Sequence, residues 1–187
     1  IVGNRTALPG GAAVYCKNSK AILTNCTVAD NYADQGGAGL TLIDSGVTIL
    51  NSILWNNLPN EILSTGTSTL DIRCCLLRGG WAGGDHLDID PLFVRPGSWV
   101  NPYDPAQVLT ASISWSVWAD GDYHLRSQAG RWDPTAQDWI QDKVTSPCID
   151  AGLASTPVGS EPLPNGNRIN LGAYGGTTEA GLSPRGF

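Results

Sequence analysis

The sequence predicts an all-β protein: a short parallel β-helix of about three clear coils, followed by an irregular C-terminal cap. Three observations predict it. Two blocks recur at an offset of 26 residues and a third unit follows at 22. Within each unit the shared small or apolar positions lie two apart, which is strand periodicity. Gly 23 and Pro 12 in 187 residues, with no Met, argue against long helices and for short strands between turns. Leucine-rich repeats have a similar length, but their LxxLxLxxN pattern and helical return are missing. A β-sandwich is the competing architecture.

The first two units align as Gly10-Gly11-Ala12-Ala13-Val14-Tyr15-Cys16 on Gly36-Gly37-Ala38-Gly39-Leu40-Thr41-Leu42. The same shift carries the Ile22 to Asn31 block onto Thr48 to Asn57. The third unit is expected to place Ile62 beneath Leu40, Leu70 beneath Thr48, Ile72 beneath Leu50, Cys74 beneath Ser52 and Leu76 beneath Leu54. Each coil then buries its inward residues against equivalents above and below. The expected inward sets are Ile22, Thr24, Cys26 and Val28, and Leu70, Ile72, Cys74 and Leu76. In that register Cys26 and Cys74 stand about 9 to 10 Å apart across Ser52, beyond disulfide reach. Pairing of Cys16 with Cys26, or of Cys75 with Cys148, stays open, and five Cys leave at least one unpaired within the chain. The glycine pairs suit tight corners. Asn25 with Asn51, and Asn31 with Asn57, read as corner staples whose amides bond backbone groups.

After Trp81 the period disappears. Gly83 to Phe93 alternates apolar residues with acids, Ile113 to Trp118 is a strand candidate, and Asp120-Gly121 turns into a strand through Leu125. Asp133 to Asp142 suggests one or two helical turns starting near Pro134. These segments divide the chain into coils over residues 1–93 and a capping region over 94–187.

The chain resembles secreted right-handed parallel β-helix proteins of the pectate-lyase-like superfamily, in a variant common in bacterial exported proteins. The resemblance rests on Asn25-Cys26-Thr27-Val28, Asn51-Ser52-Ile53-Leu54-Trp55-Asn56-Asn57, Asp88-Ile89-Asp90-Pro91-Leu92-Phe93, Gly121-Asp122-Tyr123-His124-Leu125, Ser146-Pro147-Cys148-Ile149-Asp150-Ala151-Gly152 and Arg168-Ile169-Asn170-Leu171-Gly172-Ala173-Tyr174-Gly175-Gly176. It implies a right-handed coil, a C-terminal cap and a location outside the cell, secreted or at the cell surface. It implies little chemistry, because that superfamily holds lyases, hydrolases, adhesins and tail spikes.

Charge excludes some partners. Eleven basic against 17 acidic residues give a net charge of −6, a poor match for nucleic acid. No apolar run approaches the roughly 18 residues of a transmembrane segment. Asp30, Asp34, Asp44, Glu61 and Asp71 form no carboxylate ladder at the repeat offset, so with Arg73, Lys17 and Lys20 they read as solvent-facing charge rather than a lyase centre. Asp85, Asp88 and Asp90 are the densest acidic set and the candidate metal ligands, with calcium the fitting cation; no other cofactor is expected. His86 and His124 lack a nucleophile beside them. Trp55, Trp81, Trp115 and Trp118 are the candidate glycan or interface residues, packing beneath the cap being the structural alternative. Asn4-Arg5-Thr6 and Asn25-Cys26-Thr27 match the glycosylation acceptor pattern, with Asn4 the better exposed.

The reading that follows is a non-enzymatic extracellular structural or surface protein. Its first coil needs a cover: either sequence before Ile1 or another copy, whose head-to-tail contact could propagate. The alternative is a β-helix protein that binds or cleaves acidic polysaccharide.

Overall fold

A computed structural model describes every residue except 9, 84, 110–112 and 185–187, with Asp85 described by its backbone alone. Every regular element among the described residues is a β-strand. The first eleven are β1 (Arg5–Thr6), β2 (Val14–Lys17), β3 (Lys20–Thr24), β4 (Thr27–Ala29), β5 (Tyr32–Ala33), β6 (Leu40–Ile43), β7 (Gly46–Leu50), β8 (Ile53–Trp55), β9 (Ile62–Thr65), β10 (Thr69–Leu77) and β11 (Asp85–Leu87). All their pairings are parallel. They form the ladders β2-β6-β9, β3-β7-β10-β8-β4 with β11 on the far edge of β10, and β1-β5. Because β10 pairs with β7 through its first half and with β8 through its second, the sheet curls into a half-barrel.

The 26-residue offset holds through both ladders of the first two units, as in Val14 on Leu40 and Leu23 on Ile49. The third unit differs from expectation. Ile62 does lie beside Leu40, an offset of 22, but Leu70 pairs with Val47 and Ile72 with Ile49, an offset of 23. A one-residue slip moves every side chain to the other face. The buried stacks are therefore Leu23, Ile49 and Ile72, then Val28, Leu54 and Leu77, whereas Ile22 is 73% exposed. Likewise Cys75, not Cys74, follows Cys26 and Ser52: Cys26 N donates to Ser52 Oγ (3.0 Å) and Ser52 N to Cys75 Sγ (3.4 Å).

Corners set this register. Asn25, Asn51 and Cys74 all have left-handed backbones (φ 50°, 49° and 46°), as do Asp30, Asn56 and Gly79 (φ 55°, 60° and 76°). Asn tolerates that region and non-glycine residues otherwise seldom enter it. Cys74 thus fills an asparagine's place at the corner, one residue before the inward stack. A second corner carries an amide ladder. Asn4 N donates to Asn31 Oδ1 (2.9 Å), Asn31 N to Asn57 Oδ1 (3.2 Å) and Asn57 N to Glu61 Oε1 (3.1 Å). Corner backbone groups that no strand partner satisfies are satisfied by the next rung's side chain.

From Phe93 the pairing is antiparallel. The strands are β12 (Phe93–Arg95), β13 (Ser98–Asn101), β14 (Asp104–Leu109), β15 (Val117–Ala119), β16 (Asp122–Leu125), β17 (Arg131–Asp133) and β18 (Asp138–Ile140). β12 pairs β16, and β13 is the middle strand between β14 and β15. Two local expectations change. Residues 113–116 form a turn, closed by Ser116 N to Ile113 O, so that strand begins at Val117. The expected helical turns after Asp133 are the β17–β18 hairpin. Asp133 Oδ1 accepts from Thr135 N and Ala136 N, which is helix-cap chemistry used to start a turn. The edge-on Trp132–Trp139 pair, 5.8 Å between ring centres, closes the hairpin.

Two apolar clusters result. One fills the curl and includes Leu40, Leu42, Ile49 and Leu54; Trp81 packs against it. The other joins Ala29, Ile53 and Leu76, on the outward face of the β4-β8-β10 ladder, to Phe93, Tyr123, Leu125, Cys148, Ile149 and Leu171. The C-terminal half thus lies along the side of the coils. Corner amides stitch it there: Asn25 Nδ2 donates to Asn170 O (3.3 Å), and Asn51 Oδ1 accepts from Leu153 N (2.7 Å). No helix among the described residues is long and apolar enough to cross a membrane.

Candidate functional site

The best-built polar cluster lies where the β13–β15 sheet meets the corner after β4. Asp30, 9% exposed, is bound on both oxygens. Tyr123 Oη donates to Oδ2 and Asn56 Nδ2 to Oδ1, each at 2.6 Å. Arg78 Nη1 donates in turn to Asn56 Oδ1 (2.7 Å) and stands over the Trp55 ring. Burial raises the Asp30 pKa, and the Tyr123, Asn56 and Arg78 interactions oppose it. Burial and the neighbouring Asp30 carboxylate push the Tyr123 hydroxyl far above its usual range, so it stays a donor. Beside this cluster opens a cleft of about 190 Å³, lined by Asp30, Tyr32, Asn56, Trp99, Leu109 and Trp118 among others. Trp99 and Trp118 meet edge-on at 5.2 Å. Trp118 is wedged against glycines: a Cβ on Gly3 or Gly97 would come within 2.2 and 2.1 Å of its ring. Its buried Nε1 has no hydrogen-bond partner.

The described lining contains one acid, Asp30, and no His, Lys or Cys. A second carboxylate facing Asp30 is not among the described lining residues.

A second cleft, of about 370 Å³, opens at the far end of the coils and is lined by Glu61, Arg78 and Trp81. Glu61 terminates the amide ladder, and burial raises its pKa to about 7 against the bonds from Asn57. His124 is buried against Asp122 (2.6 Å from Nδ1) and Glu179 (3.2 Å from Nε2), and stacks on Tyr174. Burial works to raise the Asp122 pKa, but the His124 bonds outweigh it and the net shift is downward. His86 Nε2 accepts from Trp81 N (3.1 Å), and its Nδ1 is buried and unpartnered. Burial pushes the Cys148 thiol up to about 12, so it behaves as an apolar core residue.

The predicted site residues do not converge. Asp88 and Asp90 are exposed and cap backbone, at Gly79 N and Leu92 N; the Asp85 side chain lies outside the described residues. No group of three or more His, Cys, Asp or Glu among the described residues could hold a metal ion. Trp55 and Trp81 are half-buried against the two clusters, Trp118 joins the cleft, and Trp115 is 49% exposed. Asn4 is exposed and Asn25 half-buried. Sequence reasoning passed over Asp30 as scattered charge and left Trp99 out. The only signal for Asp30 was its alignment with Asn56 at the repeat offset.

Residues 105–152 match the model of a family described as disaggregatase related. The match runs from β14 to the turn that places Cys148 and Asp150, about a quarter of the chain. No curated protein and no solved structure matches the chain.

Proposed function

We propose that the chain forms a closed, right-handed parallel β-helix whose C-terminal half covers its side and leaves its ends open, and that it works as a non-enzymatic structural element outside the cell, associating head to tail through its coil ends. The observation that carries this reading is the outer edge of the first full coil. Among the described residues no strand pairs with the outer edges of β2 and β3, and Tyr15 (48%) and Ile22 (73%) are exposed there. An unpaired parallel edge is a template for strand addition. At the far end no strand among the described residues pairs with the outer edges of β9 and β11, and Leu87 and Ile89 are exposed there. Charge complements the two ends: Lys17 and Lys20 are exposed at the first, Asp88 and Asp90 at the last.

Sedimentation velocity over a wide concentration range at low and high salt tests the proposal. Concentration-dependent, salt-weakened species larger than the 19.7 kDa chain, abolished by Lys17→Glu with Lys20→Glu, are expected. A monomer under all conditions overturns head-to-tail association. The alternative reading, a protein acting on acidic polysaccharide, has one observation in its favour, the aromatic cleft beside Asp30, but that cleft is built to bind and its charge disfavours an acid.

A further inference from the structure

We infer that the cleft between the Asp30 corner and the β13–β15 sheet binds a single uncharged sugar ring, with Asp30 as the hydrogen-bonding pole and Trp99 and Trp118 as aromatic walls. Size comes first. About 190 Å³ equals roughly six waters at about 30 Å³ each, room for one pyranose and not for a chain segment. The walls present the rigid, amphipathic aromatic surface on which the C–H faces of a sugar pack. Their rigidity has a structural cause: Gly3 and Gly97 leave space for the Trp118 ring and for nothing else. A wall already fixed in place loses little freedom on binding.

The polar groups match hydroxyls. A sugar hydroxyl can donate, and the cleft supplies one strong acceptor. Each Asp30 oxygen already accepts one bond and retains acceptor capacity for a second.

Charge selects against acids. Asp30 is the only charged residue in the described lining. Arg78, whose charge acts on Asp30, does not line the cleft, and its Nη1 is committed to Asn56. A uronate carboxylate placed here would face Asp30 with no base to balance it. An apolar guest would leave the spare acceptor capacity of Asp30 unanswered. The cleft is complete within one chain, so this inference stands or falls apart from head-to-tail association.

Titration of the purified chain with methyl glucoside, methyl galactoside, methyl mannoside and N-acetylglucosamine, beside glucuronate and a small apolar alcohol, followed by ligand-observed NMR and tryptophan fluorescence, tests it. At least one neutral sugar should bind at least tenfold more tightly than glucuronate. Trp99→Ala should weaken that binding at least tenfold, Trp99→Phe should largely preserve it, and Asp30→Asn should narrow the preference against glucuronate. Trp115→Ala, outside the cleft, should change nothing. Glucuronate or the alcohol binding more tightly than every neutral sugar, no sugar binding at all, or full binding by a folded Trp99→Ala protein would each overturn the proposal.

Discussion

At the scale of single residues, Glu61 shows how a corner is terminated. Asn4, Asn31 and Asn57 each pass a hydrogen bond to the next rung, and the last acceptor is a carboxylate that takes both Asn57 N and Asn57 Nδ2. Burial, the largest cause, nevertheless lifts its pKa from 4.5 to about 7. A carboxyl whose folded pKa lies above its unfolded value binds its proton more tightly when folded. Its contribution to stability is therefore fully present below pH 4.5 and is lost as pH rises through about 7. The size is on the order of 3 kcal/mol. Urea unfolding at pH 5 and pH 8 should show wild type losing stability toward pH 8, and Glu61→Gln losing less. Asp30 and Glu161, also raised by burial, add slopes of the same sign in both proteins, so the difference between the two proteins isolates Glu61. Equal slopes would show that Glu61 is not the group titrating.

At the scale of elements, the ladder strands test the register. β3 presents Leu23 inward over Ile49 and leaves Ile22 outside, the reverse of the phase expected from sequence. Leu23→Ala should cost about 2 to 3 kcal/mol, and Ile22→Thr should stay within about 0.5 kcal/mol, both read from chemical denaturation. Comparable losses would restore the opposite phase. The amide ladder makes a parallel case. Asn57 is 2% exposed, and its side chain serves Asn31 on one side and Val28 O and Glu61 on the other. Asn57→Ala should cost about 3 kcal/mol, because it strands several buried groups at once.

At the scale of the whole molecule, the two halves share a cluster, and Tyr123 joins them: it donates to Asp30 across 93 residues of sequence and accepts from Gly97 N (3.2 Å) within its own half. Tyr123→Phe removes one donor from a buried carboxylate and should cost about 2 kcal/mol. Unfolding should be a single transition, with far-ultraviolet circular dichroism reporting the ladders and tryptophan fluorescence, weighted to the C-terminal half, giving the same midpoint. Two separated midpoints would show that the shared cluster does not couple them.

Much of the coil architecture was legible because its cause is local. Alternation of small and apolar residues marks strands, and Asn at equal offsets marks corners, so the pairing of the first two units read correctly down to Val14 on Leu40. The third unit did not, because Cys74 occupies a corner that Asn25 and Asn51 occupy in the first two, and no composition signal separates it from Cys75. Both phases of Ile22-Leu23 look apolar, so only the stacking of one rung on another decided which faces inward. Asp133-Pro134 carries the same capping chemistry in a helix and in a hairpin, and the Trp132–Trp139 contact across the strands decided between them. Of the Asp30 cleft the sequence offered only Trp118 as a candidate and the alignment of Asp30 with Asn56. Its walls come from residues about 90 positions apart, and the C-terminal half had to lie against the side of the coils before a carboxylate, a phenol and two indoles could meet.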